Sequence, residues 1–383
     1  MRVLHLTRDL PPRQLGGLST AVGGLVRASQ RAGLQVSVLS FDAWRPTRTG
    51  AAEPCAPASE EGVDVLRLSH PEHLAAARAF AADCRPDLLH VHHGMLWPLA
   101  ASLREALSVP AVKTVHVVQR EMNALRGTSE QTRSLAGQEA ALAAADRIIV
   151  PSRAAGAALE PYGEAVAARL RVAPHGIDDS PAARASVASR TRPADWGPLL
   201  AVGRFDHVKG TEDLFGTLLR VMSAMESVEA VIVGGVPANL RAELQWRRRW
   251  EEMAAPRYRE RVRFTGWLEP SALAAEYAAA NILLVPSRFE TFGLTALEAM
   301  LFGVPVVTRP VGGLPEVVEN GVVGLVAKYP DLDSLAGNAL LLMRDTERAH
   351  QLGRQAAALA RRRHLWEHAL PAILAVYAEL ASP

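Results

Sequence analysis

The sequence predicts an α/β protein made of two Rossmann-like, doubly wound domains with a cleft between them. Short apolar runs rich in β-branched residues alternate with longer helical patterns, which is typical of βα units around parallel sheets. The 383 residues are too many for one core of ordinary size. The alternation stops over residues 179–197, where Ala, Ser, Arg and Pro follow one another without periodicity.

These signals divide the chain into an N-terminal domain over residues 1–180, a linker over 181–197 and a C-terminal domain over 198–364. In the first domain, strands are predicted at residues 3–6, 35–39, 63–66, 88–92, 111–116, 147–150 and 170–172, with a helix at 19–32. In the second, strands are predicted at residues 199–202, 230–233, 261–264, 282–285, 304–307 and 324–326, with helices from 210, 239, 270 and 294. Helical patterns at residues 332–343, 348–362 and 366–380 end the chain. Ligands of such sheets bind outside the carboxyl ends of the strands, so the cleft is the expected site.

The composition is typical of a globular protein, with 49% hydrophobic and 21% charged residues. A net charge of +2 argues neither for nor against a nucleic-acid partner. Cys55 and Cys84 provide neither a disulfide framework nor metal-ligand spacing, which favours a cytoplasmic location. Charges interrupt the N-terminal segment too early for a signal peptide, and no apolar run approaches the roughly 20 residues that span a bilayer.

Two cations follow the first predicted strand of the second domain. Arg204 and Lys209 lie in the turn between this strand and the next helix. Charges in this place would neutralise a diphosphate and stabilise the charge that grows on it when a bond to phosphate breaks. The alternative is a pair of solvated loop charges. Lysine is otherwise found only at Lys113 and Lys328, and this scarcity favours a specific role for Lys209.

A second cluster surrounds a Phe-Gly-Leu turn that opens a helix. The amides of Gly293, Leu294 and Thr295 are expected to be unpaired at the helix start and available to a phosphate. Glu290 and Glu298 flank the turn, and their carboxylates would accept hydrogen bonds from sugar and ribose hydroxyls respectively. Helix capping is the alternative, and it explains one glutamate more readily than both. The cluster suits a ligand that is part anion and part polyol.

The predicted first domain offers weaker signals. Gly16 and Gly17 precede its first helix and could bring backbone amides against a phosphate or an acceptor. The loop does not have the GxGxxG pattern of hydride-transfer enzymes, and ordinary turn chemistry is the alternative.

Histidines end two predicted strands of the first domain. His116 ends one of them and is expected to point into the cleft. His90, His92 and His93 end the preceding strand, and their clustering suggests a metal site. Strand alternation sends His92 and His93 to opposite faces, so we predict no bound metal.

An arginine-rich stretch between residues 241 and 263 contains Trp246 and Trp250. It could contact anionic lipid or nucleic acid. Glutamates dilute its charge, which favours a solvated helix face. We therefore expect no nucleic-acid partner and find no indication of peripheral membrane contact.

The two glutamates, with seven residues between them, stand among Phe-Gly-Leu, Glu-Ala-Met and Gly-x-Pro-Val-Val. This pattern resembles the signature of glycosyltransferase family 4, whose members are retaining enzymes of the GT-B fold. The resemblance spans nearly the whole chain and is most specific in the second domain. Further matches are Gly312-Gly-Leu-Pro-Glu316, Asn320-Gly-Val-Val-Gly324, Gly203-Arg204 with Lys209-Gly210, and Gly16-Gly17.

The resemblance implies roles for the candidate residues. Arg204 and Lys209 would hold the donor diphosphate. Glu298 would hold the ribose and Glu290 the transferred sugar, with His116 near the C6 side of that sugar.

It also implies that the backbone around Trp267 and Leu268 flanks the nucleobase, and that Phe292 belongs to the donor-binding turn. The last helix, over residues 365–383, would pack back on the first domain. The chain departs from the family at His175, near the hinge, where relatives usually carry Asn.

The implied reaction is transfer of a sugar from a nucleoside diphosphate sugar, UDP-sugar first, to a hydroxyl of a small-molecule, lipid or glycan acceptor. The anomeric configuration would be retained, and the nucleotide sugar is a co-substrate, so neither a cofactor nor a metal ion is required. With no obvious nucleophile, a same-face mechanism is favoured, in which the leaving phosphate accepts the acceptor's proton. A nucleotide-sugar 2-epimerase of the same fold and an inactive nucleotide-sugar-binding protein are the alternatives.

Overall fold

The computed structural model describes residues 1–12, 16–41, 56–69, 73–128, 132–190, 197–235 and 240–381. The chain forms two compact units. The first comprises Met1–Ala124, Thr128–Gly176 and Trp366–Pro383, and the second comprises Leu125–Gly127 and Ile177–Leu365. Cys55, which is not expected to form a disulfide, lies outside the described residues.

An eight-stranded sheet forms the centre of the first unit. Its strands are β1 (Arg2–Thr7), β2 (Gln35–Ser40), β3 (Ala58–Glu60), β4 (Val63–Arg67), β5 (Leu88–Val91), β6 (Ala111–Thr114), β7 (Arg147–Val150) and β8 (Leu170–Val172). Their order is β3-β4-β2-β1-β5-β6-β7-β8, and all pairs are parallel except β3 with β4. The helices are α1 (Gly17–Arg31), α2 (Leu74–Cys84), α3 (Trp97–Leu107), α4 (Gln119–Leu125), α5 (Arg133–Ala144), α6 (Arg153–Ala157) and α7 (Glu164–Ala167). The chain winds outward from β1 in both directions, which is the doubly wound topology.

The second unit contains a six-stranded parallel sheet in the order β11-β10-β9-β12-β13-β14. Its strands are β9 (Leu199–Val202), β10 (Ala230–Val233), β11 (Val262–Gly266), β12 (Ile282–Val285), β13 (Val306–Thr308) and β14 (Gly324–Val326). Its helices are α8 (Pro181–Ser189), α9 (Thr211–Ala224), α10 (Leu240–Met253), α11 (Pro256–Arg259), α12 (Pro270–Ala279), α13 (Leu294–Leu301), α14 (Leu314–Val317), α15 (Leu332–Arg344) and α16 (Thr346–His364). Neighbouring residues of one strand point to opposite faces of the sheet. Leu200 and Leu283 belong to one apolar cluster, and Leu199 and Ile282 belong to another. Both faces of this sheet are therefore buried, as is usual for parallel sheets covered by helices.

The last helix, α17 (Trp366–Ala378), belongs to the first unit. The Trp366 indole lies against Gly24 and Gly176, where a Cβ atom would come within 2.1 and 2.5 Å of the ring. Ile373 and Tyr377 are buried with it. Two glycines therefore make room for one large anchor at the start of this helix.

The predicted class of two parallel α/β sheets is confirmed. The segment predicted as a linker is not irregular throughout, because its first half forms α8. Ser180 Oγ accepts a hydrogen bond from Ala183 N–H at 3.1 Å, and Pro181 stands at the first helical position. An N-cap serine followed by proline starts a helix even where apolar periodicity is weak. Residues 191–196 of the predicted linker lie outside the described residues.

Several boundaries differ by a few residues. The strands predicted to end at 92 and 116 end at Val91 and Thr114, so that His92 and His116 lie in the loops that follow. The short antiparallel edge strand β3 was not predicted. The predicted start of a helix at 239 lies outside the described residues, and α10 begins at Leu240.

Candidate functional site

The first feature of the site is a contact between Lys209 and Glu290 in the second unit. Lys209 lies in the loop after β9 and Glu290 in the loop after β12. These strands are parallel neighbours, so both loops leave the same edge of the sheet. Lys209 Nζ lies 2.5 Å from Glu290 Oε2, and the side chains are 25% and 14% exposed. The fold thus pairs a predicted phosphate ligand with a predicted sugar ligand.

Glycines allow these loops to approach other backbone segments closely. A Cβ atom on Gly312 would lie 1.8 Å from the carbonyl oxygen of Glu290, which accepts a hydrogen bond from Gly313 N–H at 2.9 Å. Gly210 has a φ of +68°, and its Cβ would lie 2.2 Å from the carbonyl oxygen of Pro286. Side chains at Gly210 and Gly312 would push the loops apart. This explains why glycine stands at these two positions of the family motifs.

A largely buried ion network joins the same loops. Asp213, in the first turn of α9, accepts hydrogen bonds from Arg288 Nε at 2.9 Å and from Arg309 Nη1 at 2.6 Å. Arg309 is 1% exposed and also donates to the carbonyl of Pro286 at 3.1 Å. Burial alone would raise the pKa of Asp213, but the hydrogen bonds from the two arginines outweigh burial and lower it. Sequence reasoning missed all three charged residues.

Glu298 lies on α13, about one turn from its start. Its Oε2 accepts a hydrogen bond from the hydroxyl of Tyr277 at 2.7 Å. Burial raises the pKa of Glu298, while this hydrogen bond and the charge of Lys209 act in the opposite direction. Burial and the neighbouring carboxylate raise the pKa of Tyr277 well above its usual value, so its hydroxyl keeps the proton that it donates. Tyr277 is a further residue that sequence reasoning missed.

The start of α13 has the geometry of an anion site. Gly293 precedes the helix with a φ of +114°, a conformation that favours glycine. The peptide N–H groups of Gly293, Leu294 and Thr295 belong to the first turn, where the helix itself supplies no acceptor. Phe292 is 3% exposed and packs in the core against His364, so only its backbone is available to a ligand.

Arg204 and Lys209 line one small cavity at the carboxyl end of the second sheet, and Thr295 lines it too. The side chain of Arg204 is 44% exposed and lies 3.7 Å from Asp206. Asp206 also accepts a hydrogen bond from the Lys209 backbone N–H at 2.8 Å and so orders the loop. Three predicted donor residues therefore share one cavity.

Four other predicted residues occupy defined places. Trp267 and Leu268 follow β11 and are half-buried, with Leu268 packed against the core. Gly16 precedes α1 with a φ of +153°, and Gly17 is the first residue of that helix. Residues 13–15 of the same predicted loop lie outside the described residues. The ligand contacts of these four residues stay predictions.

Four histidines of the first unit form what we call the histidine chain: His5, His92, His116 and His175. His5 Nδ1 lies 2.9 Å from His92 Nε2, and His92 Nδ1 lies 3.0 Å from His116 Nε2. His116 Nδ1 lies 3.2 Å from His175 Nε2. Both ring nitrogens of His116 are thus engaged by other imidazoles. His93 does not join the chain and accepts a hydrogen bond from Met95 N–H at 3.2 Å.

The clustered histidines include one group with the spacing of metal ligands. Ring nitrogens of His5, His90 and His92 lie within 4.8 Å of one another, the one such group of histidine, cysteine and acidic side chains in the described residues. His90 is held by the hydroxyls of Tyr377 and Thr114, each at 2.6 Å, and both nitrogens of His92 are engaged in the chain. A metal ion would have to displace these hydrogen bonds in a fully buried place. The geometry therefore favours hydrogen bonding over metal binding.

The arginine-rich stretch packs onto the second unit. Trp250 is 2% exposed, and Glu243 is 7% exposed and accepts a hydrogen bond from Arg247 at 2.5 Å. Arg248 and Arg249 are exposed on the same helix, α10. These contacts fit a helix with one packed and one solvated face. In the described part of the chain, no helix combines the length and the apolar character needed to cross a membrane.

Two sequence families match the chain. The family described as "Glycosyl transferases group 1" matches residues 190–359, and "Glycosyltransferase Family 4" matches residues 15–180. The glycogen synthase of Mycobacterium tuberculosis is 28% identical over 93% of this chain and 89% of its own length. The D-inositol 3-phosphate glycosyltransferase of Mycobacterium avium is 31% identical over 76% of this chain and 69% of its own.

Solved structures show the same fold. The sucrose-phosphate synthase from Thermosynechococcus elongatus superposes with a TM-score of 0.79 at 24% identity and 99% coverage of both chains. The Anabaena protein HepE, in complex with UDP and glucose, superposes with a TM-score of 0.74 at 20% identity, over 99% of this chain and 100% of its own. These likenesses confirm the predicted GT-B fold.

Proposed function

Because the chain belongs to the group 1 glycosyl transferases and is a glycosyltransferase, we propose that it uses a nucleoside diphosphate sugar, UDP-sugar first, as donor. The acceptor is a hydroxyl of a small molecule, a lipid or a glycan, and the anomeric configuration is retained. In this proposal the second unit binds the donor and the first unit binds the acceptor. The cysteine content fits a cytoplasmic enzyme.

The observation that carries the proposal is the contact between Lys209 and Glu290 beside the start of α13. Glu290 is the counterion of Lys209. A diphosphate would bring its own negative charge to Lys209 and Arg204, and Glu290 would then be available to sugar hydroxyls. One loop pair would thereby recognise both the charged and the neutral part of the donor.

The same charges support a mechanism. As the bond between sugar and phosphate breaks, negative charge accumulates on the diphosphate. The cations Lys209 and Arg204, together with the amides that begin α13, would stabilise it. Glu290 is held by a cation and serves as an anchor for the sugar, which favours a same-face reaction over double displacement. The leaving phosphate would accept the acceptor's proton, and no bound metal or cofactor is required.

The nucleotide would extend along α13 to Glu298. The hydroxyl of Tyr277 donates a hydrogen bond to Oε2 of this carboxylate and so fixes its orientation. The ribose hydroxyls would then donate hydrogen bonds to a carboxylate that is already oriented. The backbone of Trp267 and Leu268 would flank the base, as the family resemblance implies. The related HepE structure contains UDP, which supports UDP-sugars as the first donors to test.

A thermal-shift screen tests the donor assignment. Wild type and Glu298→Ala are heated with UDP-, GDP-, ADP- and TDP-sugars. A donor at 100 times its Kd stabilises the folded state by about 2.7 kcal/mol, enough to raise the Tm visibly. We expect a shift with one base class that Glu298→Ala loses. If a donor raised the Tm of Glu298→Ala as much as that of the wild type, the assignment of Glu298 to the ribose would be contradicted.

Turnover of Lys209→Met tests the diphosphate assignment, with Lys328→Met as the matched control. Lys328 is an exposed lysine of the same unit. Loss of one preorganised charge at the leaving group is expected to lower kcat about 100- to 1,000-fold, because such groups contribute about 3–4 kcal/mol to the transition state. Near-normal turnover in Lys209→Met would overturn the assignment. Donor consumption without any acceptor would identify an epimerase, and binding without turnover an inactive protein.

A further inference from the structure

The contacts of the histidine chain all run in the same direction. Each of its three contacts joins Nδ1 of one ring to Nε2 of the next, in the order His5, His92, His116, His175. The distances between these nitrogens, 2.9 to 3.2 Å, are those of hydrogen bonds, so each contact must contain one proton. The chain therefore has a direction.

The direction couples the tautomers of the rings. Burial lowers the pKa of all four histidines, so that each ring is neutral at pH 7 and carries one ring proton. Two arrangements place one proton in every contact: all rings protonated at Nδ1, or all at Nε2. Any mixture would bring two N–H groups or two bare nitrogens face to face. A change at one ring therefore requires a change at all.

The end of the chain favours one arrangement. His5 Nε2 is buried and has no hydrogen-bond partner among the described residues. If this atom carried a proton, a donor would be buried without an acceptor, and for backbone groups buried orphan donors are rarer than orphan acceptors. The favoured arrangement thus places every proton on Nδ1. His116 then accepts a hydrogen bond from His92 at Nε2 and donates its own proton from Nδ1 to His175 Nε2.

We propose that the histidine chain is a positioning relay, which fixes the ring plane and the tautomer of His116 through hydrogen bonds at both of its ring nitrogens. The relay rests on the proposed function, in which His116 contacts the transferred sugar. His5, His92 and His175 act through His116 and are positioning residues. The transferred sugar would meet a His116 ring whose plane is already fixed, so the ring needs no reorganisation at the moment of reaction.

Nitrogen-15 NMR of protein labelled at histidine tests the relay without donor or acceptor. The shifts of the two ring nitrogens distinguish a protonated nitrogen from a bare one. At pH 7.5 we expect His5, His92, His116 and His175 to be neutral and all protonated at Nδ1. One ring with the opposite tautomer, or one imidazolium, would overturn the relay.

A variant pair tests the coupling between rings. His175→Leu removes the acceptor that His175 offers to the Nδ1 proton of His116. Protons on Nδ1 then lose their advantage over protons on Nε2, the arrangement that leaves the His5 donor without an acceptor. We expect the tautomer of His92 to become mixed, although His92 is bonded to His5 and His116 and not to His175. A purely structural role for His175 would leave the His92 signals unchanged, and that result would refute the relay.

Turnover then connects the relay to sugar transfer. His175→Leu is expected to lower kcat about five-fold with the donor KM within two-fold, since one positioning hydrogen bond is lost. His175→Asn keeps a donor and an acceptor at this place and should restore the rate, while His368→Leu, at an exposed ring of α17, should match wild type. Coupled tautomers with unchanged turnover in His175→Leu would refute the role in transfer. Failure of the wild type to transfer any sugar would refute the proposed function instead.

Discussion

Acid is expected to destabilise the first unit because several of its histidines are buried as neutral rings. Burial lowers the pKa of His5 to about 3 and that of His175 to about 4, from an ordinary value of 6.5. Burial, and then neighbouring basic groups, lower the pKa of His90, His92 and His116 in the same direction. Below pH 6.5 the folded state binds fewer protons than the unfolded chain. Stability that is present above this pH is therefore lost as the pH falls towards the folded pKa values.

The size of the loss can be worked out from the numerical pKa values of His5 and His175. Between pH 7 and pH 5, protonation of the unfolded chain at one such histidine lowers the free energy of unfolding by about 2 kcal/mol. His5 and His175 together account for about 4 kcal/mol. This is a large part of the roughly 5–15 kcal/mol that stabilises a typical domain, and the other buried histidines of the unit add to it.

Urea unfolding at pH 7 and pH 5 measures the effect in wild type, His5→Leu and His368→Leu. We expect the wild type to lose at least about 4 kcal/mol between the two pH values and His5→Leu to lose about 2 kcal/mol less than wild type. His368→Leu removes an exposed ring and should follow wild type. Hydrogen exchange of peptides from β1 and β5 locates the loss in the first unit. Equal pH dependence in His5→Leu and wild type would refute the reasoning.

Three substitutions test contacts in the second unit. Tyr277→Phe removes the donor to Glu298, so the Kd of the nucleoside diphosphate in calorimetry should rise about five-fold with little change in kcat; an unchanged Kd would argue against a role in the ribose contact. Asp213→Asn removes the carboxylate charge that two guanidinium groups share and should lower the free energy of unfolding in urea by about 3 kcal/mol. The control Asp333→Asn, at a side chain that is 83% exposed, should change it by less than about 0.5 kcal/mol, and equal losses would contradict the network. Gly312→Ala places a methyl group 1.8 Å from a backbone oxygen, so kcat should fall about 100-fold, and a variant with normal kcat would show that the loop adapts freely.

The donor side of the site could be predicted because its chemistry is local. Glu290 and Glu298 lie in one loop and the helix that it opens, and their spacing alone places both near the helix start. Lys209 joins them because parallel strands bring their carboxyl ends to one edge of the sheet, a rule that needs no side-chain detail. The two loops thus come together from topology.

The partners of these residues could not be predicted in the same way. Tyr277 meets Glu298, and Asp213 meets Arg309, across elements whose packing determines which side chains touch. Spacing in the sequence contains no such information. Strand order matters in the first unit as well, because His5 faces His90 only through the register of β1 with β5. Alternation could relate His90 to its neighbours on one strand, but not to a histidine 85 residues away.

Lysine is scarce in this chain, and the surroundings of Lys113 explain why lysine rather than arginine stands at this position. Its side chain is 1% exposed, and Nζ donates to the carbonyls of Val91 at 3.3 Å and Thr114 at 2.7 Å. Burial lowers the pKa of this amine to about 7, so the group can shed its charge in the folded state. An arginine stays charged and brings five N–H donors to the same place. Scarcity by itself is no guide, since Lys328 is exposed.

Lys113 is expected to make the protein more stable as the pH rises above 7, because its folded pKa of about 7 lies below the ordinary 10.5. Between pH 7 and pH 9 the folded state releases a proton that the unfolded chain retains, and the free energy of unfolding should rise by about 2 kcal/mol. Urea unfolding of Lys113→Met should show no such rise, since the variant has no proton to release. Lys113→Arg should be less stable than wild type by about 3 kcal/mol or more at pH 9, because it buries a permanent charge. If Lys113→Arg were as stable as wild type at pH 9, the amine would not be neutral in the folded state, and the choice of lysine at this position would need another cause.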